Sequence, residues 1–193
     1  LLNNEDFQKL DFSNLKIPIA GGMALQTSVA EKWEKVTGIR IIEGYGLTET
    51  SPVASVNPLD GNDRLGTIGY PVPSTDMRIV NDEGQEVPVG ETGEIQIKGP
   101  QVMKGYFNKV EETEKVLKEG WFSSGDIGLM EEDGYFKIVD RKKDMILVSG
   151  FNVFPNEVEE VATLCDKVLE AAAVGFPDEK SGEHVKLFVV KKD

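Results

Sequence analysis

The sequence predicts an α/β layer, followed by a β-rich subdomain and then by a small α+β unit. Three observations carry this prediction: a helical pattern that leads into a short β-branched segment, short strands punctuated by turns from about residue 58 onwards, and a run of charged residues at 140–144. We therefore expect three units, at residues 1–57, 58–142 and 143–193.

The first unit contains an amphipathic helix, predicted over residues 24–37. Apolar side chains recur there at helical spacing, charged side chains lie between them, and Gly38 is a natural C-terminal stop. Residues 39–42 are rich in isoleucine and predict a strand that runs into a turn at Gly44.

The second unit shows short strands separated by turn residues. Residues 94–98 alternate polar and apolar side chains, and residues 81–84 supply a turn before them. Its predicted elements are strands at 76–80 and 94–98, a helix at 109–118, and a hairpin that joins 125–130 to 135–139.

The third unit begins after the charged break. Residues 145–148 and 151–154 can pair around Ser149 and Gly150, and Pro155 then opens a helix. We place Cys165 in the core, on the apolar face of this helix with Val158, Val161 and Leu164, and we expect two further strands at 171–175 and 185–190. His184 is assigned to the surface or to a strand end, because no catalytic partner is visible for it.

Composition limits the classes of partner. Lys and Arg number 21 against 34 Asp and Glu, and a net charge of −13 argues against nucleic acid. The single cysteine excludes an intramolecular disulfide and fits a reducing compartment, so we expect a cytoplasmic protein. Because residue 1 is Leu rather than Met, we also expect the chain to be an internal piece of a longer protein.

The segment from Glu43 to Glu49 concentrates groups that suit a nucleotide. Its glycines let the backbone approach a ligand, the Tyr45 ring can stack on a base, the Thr48 hydroxyl can bond a phosphate oxygen, and the Glu49 carboxylate suits Mg²⁺. On the residues alone, an ordinary glycine-rich turn is the alternative.

This segment resembles the Tyr-Gly-x-Thr-Glu motif of adenylate-forming enzymes, a superfamily that includes acyl-CoA synthetases, luciferases and peptide-synthetase adenylation domains. The companion motifs follow in the family's order, with Ser124 in place of the usual Thr. Residues 20–25 resemble the strand end that lines the acyl and adenine pockets, 93–106 the next core motif, 121–126 the Thr-Gly-Asp motif, and 139–159 the hinge motif. The resemblance implies the end of a large domain, with an α/β layer and a distorted β-barrel, before a small C-terminal domain.

The resemblance also implies a role for individual residues. Thr48 and Glu49 would be catalytic, with Thr48 at the α-phosphate and Glu49 as the Mg²⁺ ligand. Asp126 and Arg141 would bind the ribose hydroxyls of ATP, with a hairpin cap and a solvated boundary charge as the alternatives. The remaining nucleotide or coenzyme positions would be Gly21, Gly22, Met23, Gly44, Tyr45, Gly46, Leu47, Ile138 and Gly150.

Two of the implied roles concern a second reaction step. Lys143 stands at the family's hinge, where the small domain rotates between adenylation and thioester formation, so we expect fixing its backbone to slow the second step most. Gly150 would lie beside the passage for the pantetheine of CoA. An exposed linker lysine and an ordinary turn glycine are the alternatives.

The implied activity is an ATP-dependent ligase that forms acyl-AMP and transfers the acyl group to CoA. Residues 1–25, 53–58 and 141–159 resemble long-chain fatty acid–CoA ligases; an aryl or medium-chain acid, or a non-catalytic interaction module, are the alternatives. The family's phosphate loop and C-terminal lysine have no counterpart in these 193 residues, so we expect the piece itself to be inactive. A homodimer and peripheral attachment to the inner face of the membrane are left open.

Overall fold

The computed structural model describes residues 1–23 and 25–192 and contains three sheets that follow one another along the chain. In the first sheet, β1 pairs in parallel with β2 and the other neighbours are antiparallel. Its elements are β1 (Ile19–Ala20), α1 (Thr27–Thr37), β2 (Ile42–Gly46), β3 (Val53–Val56) and β4 (Tyr70–Pro71), with short 3₁₀ turns at Phe7–Lys9 and Thr48–Thr50.

Helix α1 confirms the amphipathic pattern, and it begins at Thr27. Gly38 ends it in a left-handed conformation (φ 72°), and its N–H donates to the carbonyl of Glu34 at 2.8 Å. Ala24, where the predicted helix starts, lies outside the described residues. Trp33 packs against Phe7 with ring centroids 5.7 Å apart, so α1 holds the N-terminal segment.

The strand predicted at 39–42 is misplaced. It begins at Ile42 and continues through Gly46, so the segment expected to be a turn is itself a strand. The reason is long-range pairing: Ile42 and Glu43 pair with β1, and Gly44 to Gly46 pair with β3. Hydrogen bonds on both edges outweigh the low strand propensity of the two glycines.

The second sheet is entirely antiparallel, in the order β5-β6-β8-β7 with β9 on β8. Its elements are β5 (Asp76–Val80), β6 (Gly93–Lys98), α2 (Val110–Val116), β7 (Leu117–Lys118), β8 (Trp121–Met130) and β9 (Phe136–Arg141). The predicted helix at 109–118 ends early because Leu117 and Lys118 turn back onto β8. Glu119 and Gly120 both have positive φ, which suits a tight hairpin turn.

The first two sheets share one hydrophobic core. Tyr45 and Ala54 enter it from the first sheet, and the fully buried Ile95, Ile97 and Phe122 enter from the second. Backbone hydrogen bonds from Ile68 to Phe136 and from Phe136 back to Gly69 also join the sheets. The orientation of β2 towards β8 is therefore fixed by packing.

The third sheet has the order β11-β10-β13-β12. Its elements are β10 (Ile146–Val148), β11 (Phe151–Val153), α3 (Pro155–Thr163), β12 (Val168–Asp178) and β13 (Gly182–Lys191). The hairpin around Ser149 and Gly150 is confirmed, and both turn residues have positive φ. His184 is exposed near the start of β13, as expected.

The core assignment of Cys165 is wrong. Helix α3 ends at Thr163, and Cys165 is exposed, as are Val161 and Leu164, the latter 77% exposed. The helix packs on β12 through its other side, where the Glu159 carboxylate accepts a hydrogen bond from Ala173 N–H at 2.8 Å. The side of α3 that carries Glu159 therefore faces β12. The apolar spacing in the sequence does not show this hydrogen bond, so it predicted the wrong side.

The division of the chain at residues 58 and 143 stays a prediction. The three sheets span residues 19–71, 76–141 and 146–191, and β4 belongs to the first sheet although it follows residue 57. Within the part of the chain that the structure describes, no helix combines the length and apolar character needed to cross a bilayer.

Candidate functional site

A cleft of about 570 Å³ opens beside β2, between the first sheet and the end of β9. It brings together many of the residues singled out from the sequence, although they come from three segments of the chain. The predicted residues that line it are Gly21, Gly22, Gly44, Tyr45, Gly46, Leu47, Thr48, Glu49 and Arg141.

Gly46 is required by the chain's own backbone at this site. A Cβ atom built on it would lie 1.8 Å from the Pro52 carbonyl oxygen, far inside van der Waals contact. The β2–β3 pairing also shifts register between Tyr45 and Gly46. The glycine therefore lets the chain fold back tightly and present Thr48 and Glu49 at the cleft.

Tyr45 lines the cleft, and the buried Asp126 is its hydrogen-bond partner. The Tyr45 hydroxyl donates a hydrogen bond of 2.6 Å to Asp126 Oδ2, and the two residues are 8% and 7% exposed. Burial raises the pKa of Asp126 above its ordinary value, while the Tyr45 hydroxyl and the Arg141 guanidinium oppose that rise. Burial and the Asp126 charge likewise raise the pKa of Tyr45 far above its ordinary value, so it stays a donor.

A bulge in β8 places Asp126. The pairing with β6 shifts register around Ser124 and Gly125, Gly125 adopts φ 76°, and Ser124 Oγ accepts a hydrogen bond from Asp126 N–H at 3.1 Å. Ser124 also donates to the Ile95 carbonyl at 2.8 Å, so the serine hydroxyl fills a structural role. Asp126 lies inside β8, away from the hairpin end, so a hairpin cap is the wrong interpretation.

Arg141 closes one side of the cleft. It lies opposite Asp126 at the end of β9, its Nε is 3.6 Å from Asp126 Oδ1, and its side chain is mostly exposed. A long, exposed ion pair of this kind adds little stability, so the guanidinium keeps donors available for a ligand.

Glu49 is the one carboxylate among the described residues that line the cleft. Its Oε1 accepts a hydrogen bond of 2.8 Å from the Tyr106 hydroxyl. Mg²⁺ in nucleotide sites is usually held by one or two carboxylates together with the phosphates, so Glu49 fits that ion. Among the described residues there is no cluster of three or more acidic, His or Cys side chains that could hold a metal by itself.

Tyr106 was not assigned a site role from the sequence. The signal was present, because Gly105 and Tyr106 belong to one of the motifs that carry the resemblance. The motif gives no indication, however, that Tyr106 would reach Glu49, which is 57 residues earlier in the chain.

Five predicted residues do not line the cleft; Asp126 is joined to it by its hydrogen bond to Tyr45, and the other four lie apart. Met23 is 88% exposed, and Ile138 packs against the shared core. Lys143 and Gly150 are exposed in the turns before and after β10. The structure thus places the two residues with a predicted second-step role away from the cleft-lining positions predicted to bind nucleotide.

Contacts near Lys143 anchor the residue before it to the second sheet and join α3 to the end of β9. Lys142 Nζ lies 2.8 Å from Asp82 Oδ1 and 3.1 Å from Glu94 Oε2, and Lys142 N–H donates to the Gly125 carbonyl at 2.9 Å. The buried Asp140 carboxylate accepts a hydrogen bond of 2.9 Å from Asn156 N–H in the first turn of α3. Lys143 therefore directly follows a residue that is anchored to the second sheet.

We expect Tyr45→Phe to weaken ATP binding and to make it more sensitive to acid. Without the phenolic donor, the pKa of the buried Asp126 carboxyl rises further, and the ionised acceptor is lost as pH falls through that raised pKa. Because the variant loses a hydrogen bond to a charged group, its Kd for ATP should rise on the order of tenfold near neutral pH.

Calorimetric titration of ATP across pH measures this effect. Tyr135→Phe is the matched control, because Tyr135 is also buried and its hydroxyl donates to the Asn62 carbonyl, which is not among the residues lining the cleft. Equal acid sensitivity of wild type and Tyr45→Phe would contradict the prediction.

Comparison with known proteins gives consistent matches along the chain. The long-chain-fatty-acid–CoA ligase of Yersinia pestis is 58% identical over 193 residues, which are 100% of this chain and 34% of that protein. Structures of MatB from Rhodopseudomonas palustris are 36% identical over 91% of this chain and 35% of theirs, with a TM-score of 0.87 for the ATP-bound form and 0.73 for the apo form. The chain spans about a third of the length of these relatives.

Two family profiles match in order along the chain. The one described as AMP-binding enzyme covers residues 1–107, which include the first sheet on one side of the cleft, and the one described as AMP-binding enzyme C-terminal domain covers residues 157–193. Because the first profile matches more than half of the residues, the chain belongs to the AMP-binding enzyme family.

Proposed function

We propose that the protein carrying this chain is an ATP-dependent, AMP-forming ligase that joins long-chain fatty acids to CoA. The observation that carries the proposal is the buried Tyr45–Asp126 pair beside Glu49 and Arg141, in a cleft large enough for part of a nucleotide. Identity of 58% to a protein named as a long-chain-fatty-acid–CoA ligase supports the substrate class.

In the first step, a carboxylate oxygen of the acid attacks the α-phosphorus of ATP, and pyrophosphate leaves. Asp126 accepts hydrogen bonds from the ribose hydroxyls, for which a buried carboxylate with two oxygens is suited. Arg141 donates from the side of the cleft, and Thr48 donates to the α-phosphate. Mg²⁺, held by Glu49 and the phosphates, would neutralise charge on the phosphate oxygens when bound.

In the second step, the thiolate of CoA attacks the acyl carbonyl carbon, and AMP leaves. The mixed anhydride supplies a good leaving group, so this step needs mainly an approach path for the thiol. We assign that path to the exposed Ser149–Gly150 turn, which reaches the cleft by rotation at Lys143.

The free, exposed Cys165 supports a cytoplasmic location. A homodimer and attachment to the inner face of the membrane are further proposals.

Pyrophosphate release by the full-length protein tests the function. We expect the highest kcat/KM with a long-chain acid, lower values with a medium-chain acid and lower still with benzoate, and CoA-dependent release of AMP with each. The 193-residue chain alone is the matched control and is expected to be inactive. A preference for benzoate would replace the fatty acid by an aryl acid, and no turnover with any acid would favour a non-catalytic module.

A further inference from the structure

The loop between β6 and α2 reaches the proposed metal ligand. It carries Tyr106, whose hydroxyl donates to Glu49 Oε1 at 2.8 Å, while Glu49 itself lines the cleft. The other carboxylate oxygen, Oε2, accepts no hydrogen bond from the described residues, so one oxygen of Glu49 is held and the other is available.

Two backbone hydrogen bonds hold the loop that carries Tyr106. Met103 N–H donates to the Glu49 carbonyl at 2.8 Å, and Tyr106 N–H donates to Thr113 Oγ1 in α2 at 2.9 Å. Gly105 has φ 149°, and a Cβ atom there would lie 2.8 Å from Thr113 Cγ2, so only glycine lets the loop pack this closely. The position of Tyr106 is thus fixed by contacts that do not involve the Glu49 side chain.

Tyr106 remains a hydrogen-bond donor under working conditions. A tyrosine phenol ordinarily keeps its proton at neutral pH, so the Tyr106 hydroxyl can donate to Glu49. The residue is 37% exposed, which reduces the energy of the hydrogen bond through competition with water.

We infer that Tyr106 is a positioning residue for Glu49, holding one carboxylate oxygen so that the other is presented to the Mg²⁺ that accompanies ATP. The inference rests on the proposed function and assigns to it a residue beyond the nucleotide motif. A free glutamate side chain loses rotamer freedom when it binds a metal, and a carboxylate already held by Tyr106 loses less. Tyr106 acts through Glu49 and does not itself contact the nucleotide.

The test is equilibrium binding of ATP to the full-length protein by calorimetry, without the acid substrate, once with Mg²⁺ and once with EDTA. For Tyr106→Phe we expect the Kd of Mg²⁺-ATP to rise about three- to tenfold, as for a partly exposed hydrogen bond to a charged group. The Kd of metal-free ATP should change less than twofold. Tyr70→Phe removes a phenolic hydroxyl that donates to the Asp133 carbonyl, which is not a cleft-lining residue, and should change neither value.

A double-mutant cycle shows whether Tyr106 acts through Glu49. In a Glu49→Gln background, Tyr106→Phe should have no further effect on the Kd of Mg²⁺-ATP. If wild type binds no ATP, the proposed function fails. If wild type binds Mg²⁺-ATP more tightly than metal-free ATP, but Tyr106→Phe changes both Kd values equally or changes neither, the function stands and the role of Tyr106 is refuted.

Discussion

Replacing Asp126 by alanine in the full-length protein is expected to raise the KM for ATP on the order of 10²- to 10⁴-fold. Two ribose hydroxyls would lose their acceptor in a buried site, at about 1–3 kcal/mol for each unmet group. The buried Tyr45 hydroxyl would lose its partner as well, because Asp126 Oδ2 accepts its hydrogen bond at 2.6 Å. Steady-state kinetics with ATP as the varied substrate measures the change.

Asp126→Asn separates the binding role from a structural one. Burial raises the pKa of Asp126, so at neutral pH the folded protein holds the ionised carboxylate less favourably than the unfolded chain does. That unfavourable contribution is present above the unfolded pKa of about 4 and vanishes in the neutral amide. Asp126→Asn should therefore keep or raise the free energy of unfolding while it loses ATP affinity.

Steady-state kinetics and urea unfolding of both variants measure these effects. For Asp126→Asn, the KM for ATP should rise while the free energy of unfolding stays the same or rises. Unchanged KM and kcat for ATP in both variants would show that Asp126 does not bind the nucleotide. A parallel loss of stability and affinity in Asp126→Asn would assign the carboxylate to the fold.

Local signals in the sequence were sufficient for the hairpins. Ser149 with Gly150 separates two apolar segments, and the structure has both residues at positive φ in a tight turn between β10 and β11. The turn at residues 81–84 is also found, between β5 and β6. A two-residue turn is decided by backbone preferences of the residues in it, so it can be predicted from those residues.

Pairing partners that are distant in the chain could not be predicted in this way. β2 continues through Gly44 and Gly46 because β1 and β3 supply its hydrogen bonds, and the short strand β7 exists because β8 lies next to it. Propensity describes a segment by itself, and tertiary pairing overrides it where two partners are available.

The same limit applies within the site. The family motifs name Tyr45, Asp126 and Glu49, but not the contacts between them. The Tyr45–Asp126 hydrogen bond joins residues 81 positions apart, and Tyr106 meets Glu49 across 57 positions. Both depend on how the two sheets share a core, which sequence motifs do not specify.

Replacing Lys143 by proline is expected to slow thioester formation about 10²-fold while adenylation stays largely intact. Lys143 is not among the residues with positive φ, and its N–H makes no hydrogen bond with the described residues, so proline removes no hydrogen bond from the arrangement seen here. Proline also disfavours helical backbone at Lys142, but three contacts, to Asp82, Glu94 and Gly125, hold that residue.

The Gly150 turn does not line the cleft in this arrangement, so on the proposed function the delivery of CoA past it would require a rotation. A rotation that must change φ at this position is opposed by the proline ring, and the expected factor corresponds to about 2.7 kcal/mol in the barrier of the second step. Pyrophosphate exchange measures adenylation in the full-length protein, and the reaction of supplied acyl-AMP with CoA measures the second step.

Lys143→Ala removes the same charge and keeps backbone freedom, so it should stay within about threefold of wild type in both steps, as for an exposed surface substitution. Equal losses for the proline and alanine variants in both steps would mean that Lys143 acts through its charge, and that the rotation occurs elsewhere.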